Sequence, residues 1–199
     1  MTKKLYFPVL CLLLATLLLL ILPTDAEAQI YRDTVRLHVL ATSDDDEAQA
    51  IKLQVRDLLL REYSAALSDC ATSDDARETL RDLLPEMEAR VCSYLSDIGA
   101  GYGATVTLTE EYYETRRYGD CTVPAGTYTS LRVILGTGEG HNWWCVMFPP
   151  MCLSLATEDP AAKKDSFLLY SEEEQRLLRD GDFSVKFKLL ELLSSLDRS

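Results

Sequence analysis

The sequence predicts an α+β fold in which helices pack on a mainly antiparallel sheet. Two long stretches place apolar residues at helical three- and four-residue steps, and four short stretches alternate side chains with the period of a strand. An apolar run near the N-terminus stands apart from both patterns. No internal repeat or low-complexity linker divides the chain, so we expect a single domain after an N-terminal signal sequence.

The N-terminal segment has the organisation of a signal peptide. Lys3 and Lys4 precede an almost entirely apolar 18-residue run, residues 5–22, and Ala26-Glu27-Ala28 supplies the small-x-small pattern that a signal peptidase accepts. We therefore expect residues 1–28 to be a signal peptide and residues 29–199 to be exported. The run is also long enough to span a bilayer, so an uncleaved anchor stays as the alternative.

A strand and a helix follow. Apolar and polar residues alternate over residues 34–41, which predicts a strand. Asp44 stands three residues before Glu47, the spacing of a capping box, and the acidic run there suits the positive end of a helix dipole. The helical spacing then continues to about Leu67.

A second helix is expected over residues 73–98, where apolar side chains again recur at helical spacing. Pro85 lies inside this stretch and should kink or divide the helix, because its ring removes a backbone hydrogen bond. Glycines end the helix, and the alternation over residues 104–109 predicts the next strand.

The C-terminal half predicts a hairpin. Alternating residues 128–135 and 142–148 flank the glycine-rich segment 136–141, a pattern typical of two strands joined by a turn. Residues 151–164 have the character of a loop. A last helix is expected from Asp182, although a short strand could come first.

The charge balance excludes several partners. The chain has 199 residues, of which 47% are hydrophobic, with 20 Lys and Arg against 32 Asp and Glu and a formal charge of -12. Two lysines balance two acidic residues in the N-terminal segment, so the acidity belongs to residues 29–199. Such a domain is repelled by phosphate, so we expect no nucleic-acid partner. We expect membrane contact only through the signal segment, if it is uncleaved.

No catalytic motif is present. The sequence lacks a Gly-x-Ser-x-Gly elbow, a His-Glu-x-x-His zinc site and a Walker loop, so we expect no catalytic residue, cofactor or metal site. His141 and Cys145 are the minimal pair for a thiol nucleophile, yet four residues along a strand span roughly 13 Å. An exported cysteine-dependent or cell-wall hydrolase therefore stays as the alternative function.

The cysteines allow one disulfide to be suggested. Cys145 and Cys152 are the best pair, because two prolines between them can turn the chain back. Thiols packed as small apolar side chains are the other interpretation.

An aromatic block carries a family resemblance. The run Gly140-x-Asn142-Trp143-Trp144-Cys145-Val146-x-Phe148-Pro149-Pro150-x-Cys152 holds both tryptophans of the chain and resembles the signature of the stage II sporulation protein R family of endospore-forming bacteria. Two turns depart from the family pattern, at Thr42 and at Tyr113-Glu114-Thr115. Other stretches resemble the family in the same order: Arg36 to Val39 with Ser43-Asp44, Gln49 to Asp57, Tyr118-Gly119, Pro124 to Val133, and Phe187-Lys188.

The resemblance implies a signalling function. Members of the family are exported from the forespore into the space between the forespore and mother cell membranes. There they trigger a membrane-embedded aspartic protease of the mother cell to process the sigma-E precursor. On this basis we expect an activating ligand and not an enzyme, and large rigid aromatics would anchor the partner. The expected contact residues are Asn142, Trp143, Trp144, Phe148, Pro149 and Pro150, with Tyr128 and Arg132 as support across the predicted hairpin.

Overall fold

The computed structural model describes residues 3–21, 25–151 and 168–181, and its fold is α+β as predicted. The chain forms two compact units. The larger unit comprises Ile30–Tyr112 and Thr127–Ser171, and the smaller comprises Met1–Gln29, Tyr113–Gly126 and Glu172–Ser199. In chain order the elements are α1 (Lys3–Ile21), α2 (Asp25–Asp33), β1 (Val35–Leu40), α3 (Asp46–Ser68), α4 (Ser73–Asp97), β2 (Ala104–Tyr113), β3 (Arg116–Tyr118), β4 (Cys121–Val123), β5 (Gly126–Leu135), β6 (Asn142–Phe148) and α5 (Glu172–Asp180).

The larger unit is built on a four-stranded sheet with the order β2-β5-β1-β6. Strand β1 runs parallel to β5, with Val35 opposite Thr129, and antiparallel to β6, with Leu40 opposite Asn142. The sheet is therefore mixed, because β1 has a parallel neighbour on one side and an antiparallel neighbour on the other. The parallel pair is possible because α3 and α4 separate β1 from the later strands and supply the long crossover that parallel pairing needs.

The predicted hairpin of β5 and β6 is wrong, because β1 lies between these two strands. Their connection, residues 136–141, crosses the end of β1 instead of closing a tight turn. At this crossing the Gly140 N–H donates to the Ala41 carbonyl over 2.9 Å. Local turn signals cannot distinguish a hairpin from such a crossing, since the intervening strand comes from a distant part of the sequence.

Helices α3 and α4 begin close to the predicted positions. The N-cap of α3 is Asp45, whose carboxylate accepts from the Ala48 N–H over 2.9 Å, one residue later than the expected Asp44. Helix α4 has a capping box between Thr72 and Asp75. Pro85 does not divide α4, which is continuous from Ser73 to Asp97.

One face of the sheet packs against α3 and α4. Val35, Leu37 and Val39 of β1 and alternate residues of β5 and β6 join the apolar sides of both helices in one core cluster. Each fully buried leucine or valine contributes about 1.5–3 kcal/mol by leaving water. The helical spacing in α3 and α4 thus identified the side chains that face the sheet, including Leu59, Leu80, Val91 and Leu95.

The smaller unit contains a two-stranded hairpin and α5. Strands β3 and β4 pair with Tyr118 opposite Cys121, and Gly119 takes a φ of 59° in the turn between them. Helix α5 packs on β4. The sequence interpretation missed α2, this hairpin and α5, whereas its last helix from Asp182 and most of its loop 151–164 lie outside the described residues. Within the described part of the chain, none of the helices combines the length and apolar character that a membrane span requires.

Candidate functional site

The second face of the sheet carries polar and aromatic side chains. Successive residues of a strand point to opposite faces, so the neighbours of the core residues project away from the helices. Four of these side chains, from β2, β5 and β6, gather around a histidine of β1. We call this cluster the polar face: His38, Glu111, Arg132, Asn142 and Trp144.

His38 is the centre of the polar face. Its Nδ1 lies 3.1 Å from each carboxylate oxygen of Glu111, and its Nε2 lies 3.0 Å from Oδ1 of Asn142. The Trp144 ring stacks on the imidazole with a centroid distance of 5.5 Å and an interplanar angle of 27°. Side chains of β2 and β6 therefore hold the ring, and His38 in turn fixes Asn142 and Trp144.

Glu111 joins the histidine to the neighbouring strand. Its side chain is only 16% exposed, and its carboxylate lies 3.3 Å from Nε of Arg132. Burial pushes the pKa of Glu111 upward, but hydrogen bonds from His38 and Ser130, together with the charges of His38 and Arg132, outweigh it. The pKa is lowered overall, so Glu111 is ionised at neutral pH.

A buried arginine lies beside the polar face. Arg36 is fully buried; its Nε donates to the Cys145 carbonyl over 3.1 Å, and its guanidinium lies 5.3 Å from the ring centroid of Tyr128. The ring of Tyr31 meets Tyr128 edge-on with a centroid distance of 5.2 Å. These contacts tie β1 to β5 and β6.

Trp143 lies on the opposite face from Trp144, because successive residues of a strand point to opposite faces. It packs against the core cluster, and the guanidinium of Arg56 in α3 lies 4.4 Å from its ring centroid. Arg56 also forms an ion pair with Asp57 at 2.7 Å. The arginine thus covers an indole that is only partly buried, a contact worth about 0.5–1 kcal/mol at such a site.

The loop before β6 is held by the start of α3. Lys52 donates from Nζ to the His141 carbonyl over 3.0 Å, and Asp44 accepts from the His141 N–H over 2.6 Å. Burial is the main reason that the pKa of Lys52 is lowered; Arg56 lowers it further, and Asp44 opposes both. These bonds fix where β6 begins and so position Asn142 and Trp143.

Comparison with known proteins decides the family. A family model described as stage II sporulation protein R matches residues 31–158, which include every residue of the polar face. The chain belongs to this family. A relative named stage II sporulation protein R, from Bacillus subtilis (strain 168), is 31% identical over 147 residues, covering 73% of this chain and 66% of the relative. The match therefore spans just under two thirds of the relative's length. No solved structure matches the chain.

Membership of the stage II sporulation protein R family gives the chain a role in sporulation. The residues that carried the resemblance occupy different environments. Tyr128, Phe148 and Pro149 are buried, which suits support more than direct contact. Asn142, Trp143, Trp144, Arg132 and Pro150 are half-buried and keep some surface.

The thiol pair that the sequence left open does not form in this member of the family. Cys145 is disulfide-bonded, so its sulfur is not a free thiolate. The ring of His141 lies 2.5 Å from Asp44 through Nδ1. Cys152, the predicted disulfide partner of Cys145, lies outside the described residues, so the pairing itself stays a prediction.

The sequence interpretation missed His38, Glu111 and Arg56. The alternation of β1 places Leu37 and Val39 in the core, so His38 between them lies on the other face. Among the described residues, no group of three or more His, Cys, Asp or Glu side chains is arranged to hold a metal ion.

Proposed function

We propose that this chain is an exported signalling protein of endospore formation. It is made in the forespore, enters the space between the forespore and mother cell membranes, and activates a membrane-embedded aspartic protease of the mother cell. Processing of the sigma-E precursor follows. Family membership and the signal segment support this proposal.

One observation supports a particular surface as the contact with the protease. At the start of β6, Asn142 and Trp144 project to one side and Trp143 to the other, and each has a partner behind it: His38 for the first two and Arg56 for the third. Aromatic side chains held rigidly pay little entropy on binding, which is the property of interaction hot spots. The protein acts by binding the competent state of the protease better than the idle state.

The contacts of His38 support a binding function over a catalytic one. Its ring nitrogens face the Glu111 carboxylate and the Asn142 amide oxygen, so its contacts hold neighbouring side chains in place. A ring held in this way suits positioning more than proton transfer to a substrate.

The proposal is tested by reconstitution in a non-sporulating bacterial host. The full chain is produced with the protease and the sigma-E precursor, and processed sigma-E is measured by immunoblotting. We expect processing to rise when the chain is exported, and to fall at least about tenfold with Trp144→Ala, as for a hot-spot aromatic. Processing that stays at the level without the chain would refute direct activation.

A matched variant separates this function from a thiol hydrolase. His141 is exposed, and its side chain contacts only Asp44 among the described residues. His141→Gln should leave activation unchanged, because the backbone bonds of the loop remain. Loss of activation with His141→Gln at normal protein level would favour the hydrolase.

A further inference from the structure

We propose that Asn142 is the specificity-determining hydrogen-bond donor of the partner surface, and that His38 is the positioning residue that turns its amide outward. The proposal rests on the proposed function, since the partner is the activated protease. It assigns the chemistry that the partner must offer at this point: an oxygen acceptor.

The orientation of Asn142 follows from its contact with His38. An asparagine amide has one acceptor oxygen and one NH2 group with two donors. The oxygen faces Nε2 of His38 at 3.0 Å, so the NH2 group points away from the ring. Asn142 is half-buried, and within the described residues its Nδ2 has no hydrogen-bond partner. Two donors are thus left for a partner.

Glu111 and Arg132 hold the His38 ring at its other nitrogen. A carboxylate only accepts hydrogen bonds, and Glu111 faces Nδ1 of His38 from β2 while Arg132 faces Glu111 from β5. The Asn142 oxygen is an acceptor, so a hydrogen on Nε2 is what its 3.0 Å contact with the ring requires. The ring then donates to Asn142 and keeps its oxygen inward.

The surface next to Asn142 is apolar, so the acceptor of the partner must lie beside a group that makes an apolar contact. Trp144 stacks on His38 and is half-buried, so an indole surface adjoins the Asn142 donors. A main-chain carbonyl or a side-chain carboxylate of the protease can supply the oxygen. A salt series distinguishes them, because only binding through a carboxylate weakens steeply as ionic strength rises.

The orientation is tested on the exported wild-type protein by NMR. We expect the side-chain amide protons of Asn142 to exchange freely with water, and the Nε2 proton of His38 to be observed and protected. Slow exchange of an Asn142 amide proton, with a hydrogen bond to a bare Nε2, would reverse the orientation and overturn the proposal. Because no substitution is involved, misfolding of a variant cannot obscure this result.

The functional test compares two replacements of His38 in the reconstituted host. A glutamine amide reaches the position of Nε2 and can donate to Asn142, whereas an asparagine amide reaches only the position of Nδ1. We expect His38→Gln to stay within about threefold of wild type and His38→Asn to lose about tenfold or more, the loss of one well-placed hydrogen bond. A purely structural role predicts equal losses, which would overturn the positioning role.

Asn142→Asp keeps the size of the side chain and replaces the donors by an acceptor. We expect a loss of about tenfold or more in activation, with thermal unfolding close to wild type. His141→Gln, the other histidine of the chain, is the matched control and should not change activation. If wild type activates and Asn142→Asp does so equally, this inference fails while the proposed function stands; if wild type does not activate, the proposed function fails.

Discussion

Gly140→Ala should destabilise the protein, because the added methyl group would overlap the main chain of another segment. A Cβ at position 140 would overlap the carbonyl of Ser43 and lie 2.8 Å from the Ser43 nitrogen. The main chain at Ser43 cannot move aside as a side chain would. Gly140 is also held in place, because its N–H is bonded to the Ala41 carbonyl at 2.9 Å. Overpacking costs about 1–3 kcal/mol, and contact with main chain at these distances places this change at the upper end.

A cost of about 3 kcal/mol corresponds to a fall in Tm of about 6–12 °C for a chain of this size. Thermal unfolding followed by circular dichroism measures it. The matched control is Gly103→Ala, whose added Cβ would meet only the Cys92 sulfur at an ordinary 3.6 Å, so no fall in Tm is expected. If Gly140→Ala unfolds within about 2 °C of wild type, the close crossing of residues 136–141 over the end of β1 is refuted.

Three further predictions concern single contacts. Arg56→Ala removes the cation over Trp143 and should cost about 0.5–1 kcal/mol and shift the tryptophan fluorescence, whereas Arg61→Ala, exposed on the same helix, should do neither. The lowered pKa of Glu111 contributes stability above its ordinary value of 4.5, and this is lost as the pH falls through the lower value of the folded state. Urea unfolding should therefore show Glu111→Gln less stable than wild type at neutral pH, with a difference that shrinks in acid; a constant difference would contradict the ion pair. Thr72→Ala breaks the capping box of α4 and should lower the free energy of unfolding by about 1 kcal/mol in the same assay.

Periodicity predicted the elements that bury one regular face. Strands β1, β5 and β6 and helices α3 and α4 all place apolar residues at fixed steps against a single core, so their positions follow from local sequence. The position of β1 between β5 and β6 does not, because parallel pairing joins segments about a hundred residues apart and leaves no local signal.

The short elements that were missed carry weaker signals. Helix α5 begins with Glu172, Glu173 and Glu174 and has Arg179 in its last turn, an arrangement that complements the helix dipole. Nine residues with two buried positions give little periodicity to detect. In the hairpin of β3 and β4, Gly119 was the detectable feature, since its positive φ favours glycine in a tight turn.

The candidate site was predictable only in part, because its residues come from four strands. The sequence singled out Asn142, Trp144 and Arg132, but nothing in it joins them to His38 and Glu111. His38 lies 104 positions before Asn142 and 73 positions before Glu111 along the chain. Only the sheet order brings these side chains together. The alternation in β1 could indicate that His38 faces away from the core, yet not what it would meet there.

The contacts of the aromatic block separate its structural residues from those free to bind. Close main-chain packing accounts for Gly140, a disulfide for Cys145, and burial for Phe148 and Pro149. None of these explains Asn142, whose oxygen is bonded to His38 while its donors have no partner among the described residues. Packing alone would not require donors at a half-exposed position, and an aspartate or serine would serve the histidine as well. Within the block, Asn142 is therefore the position at which loss of activation without loss of stability is most expected.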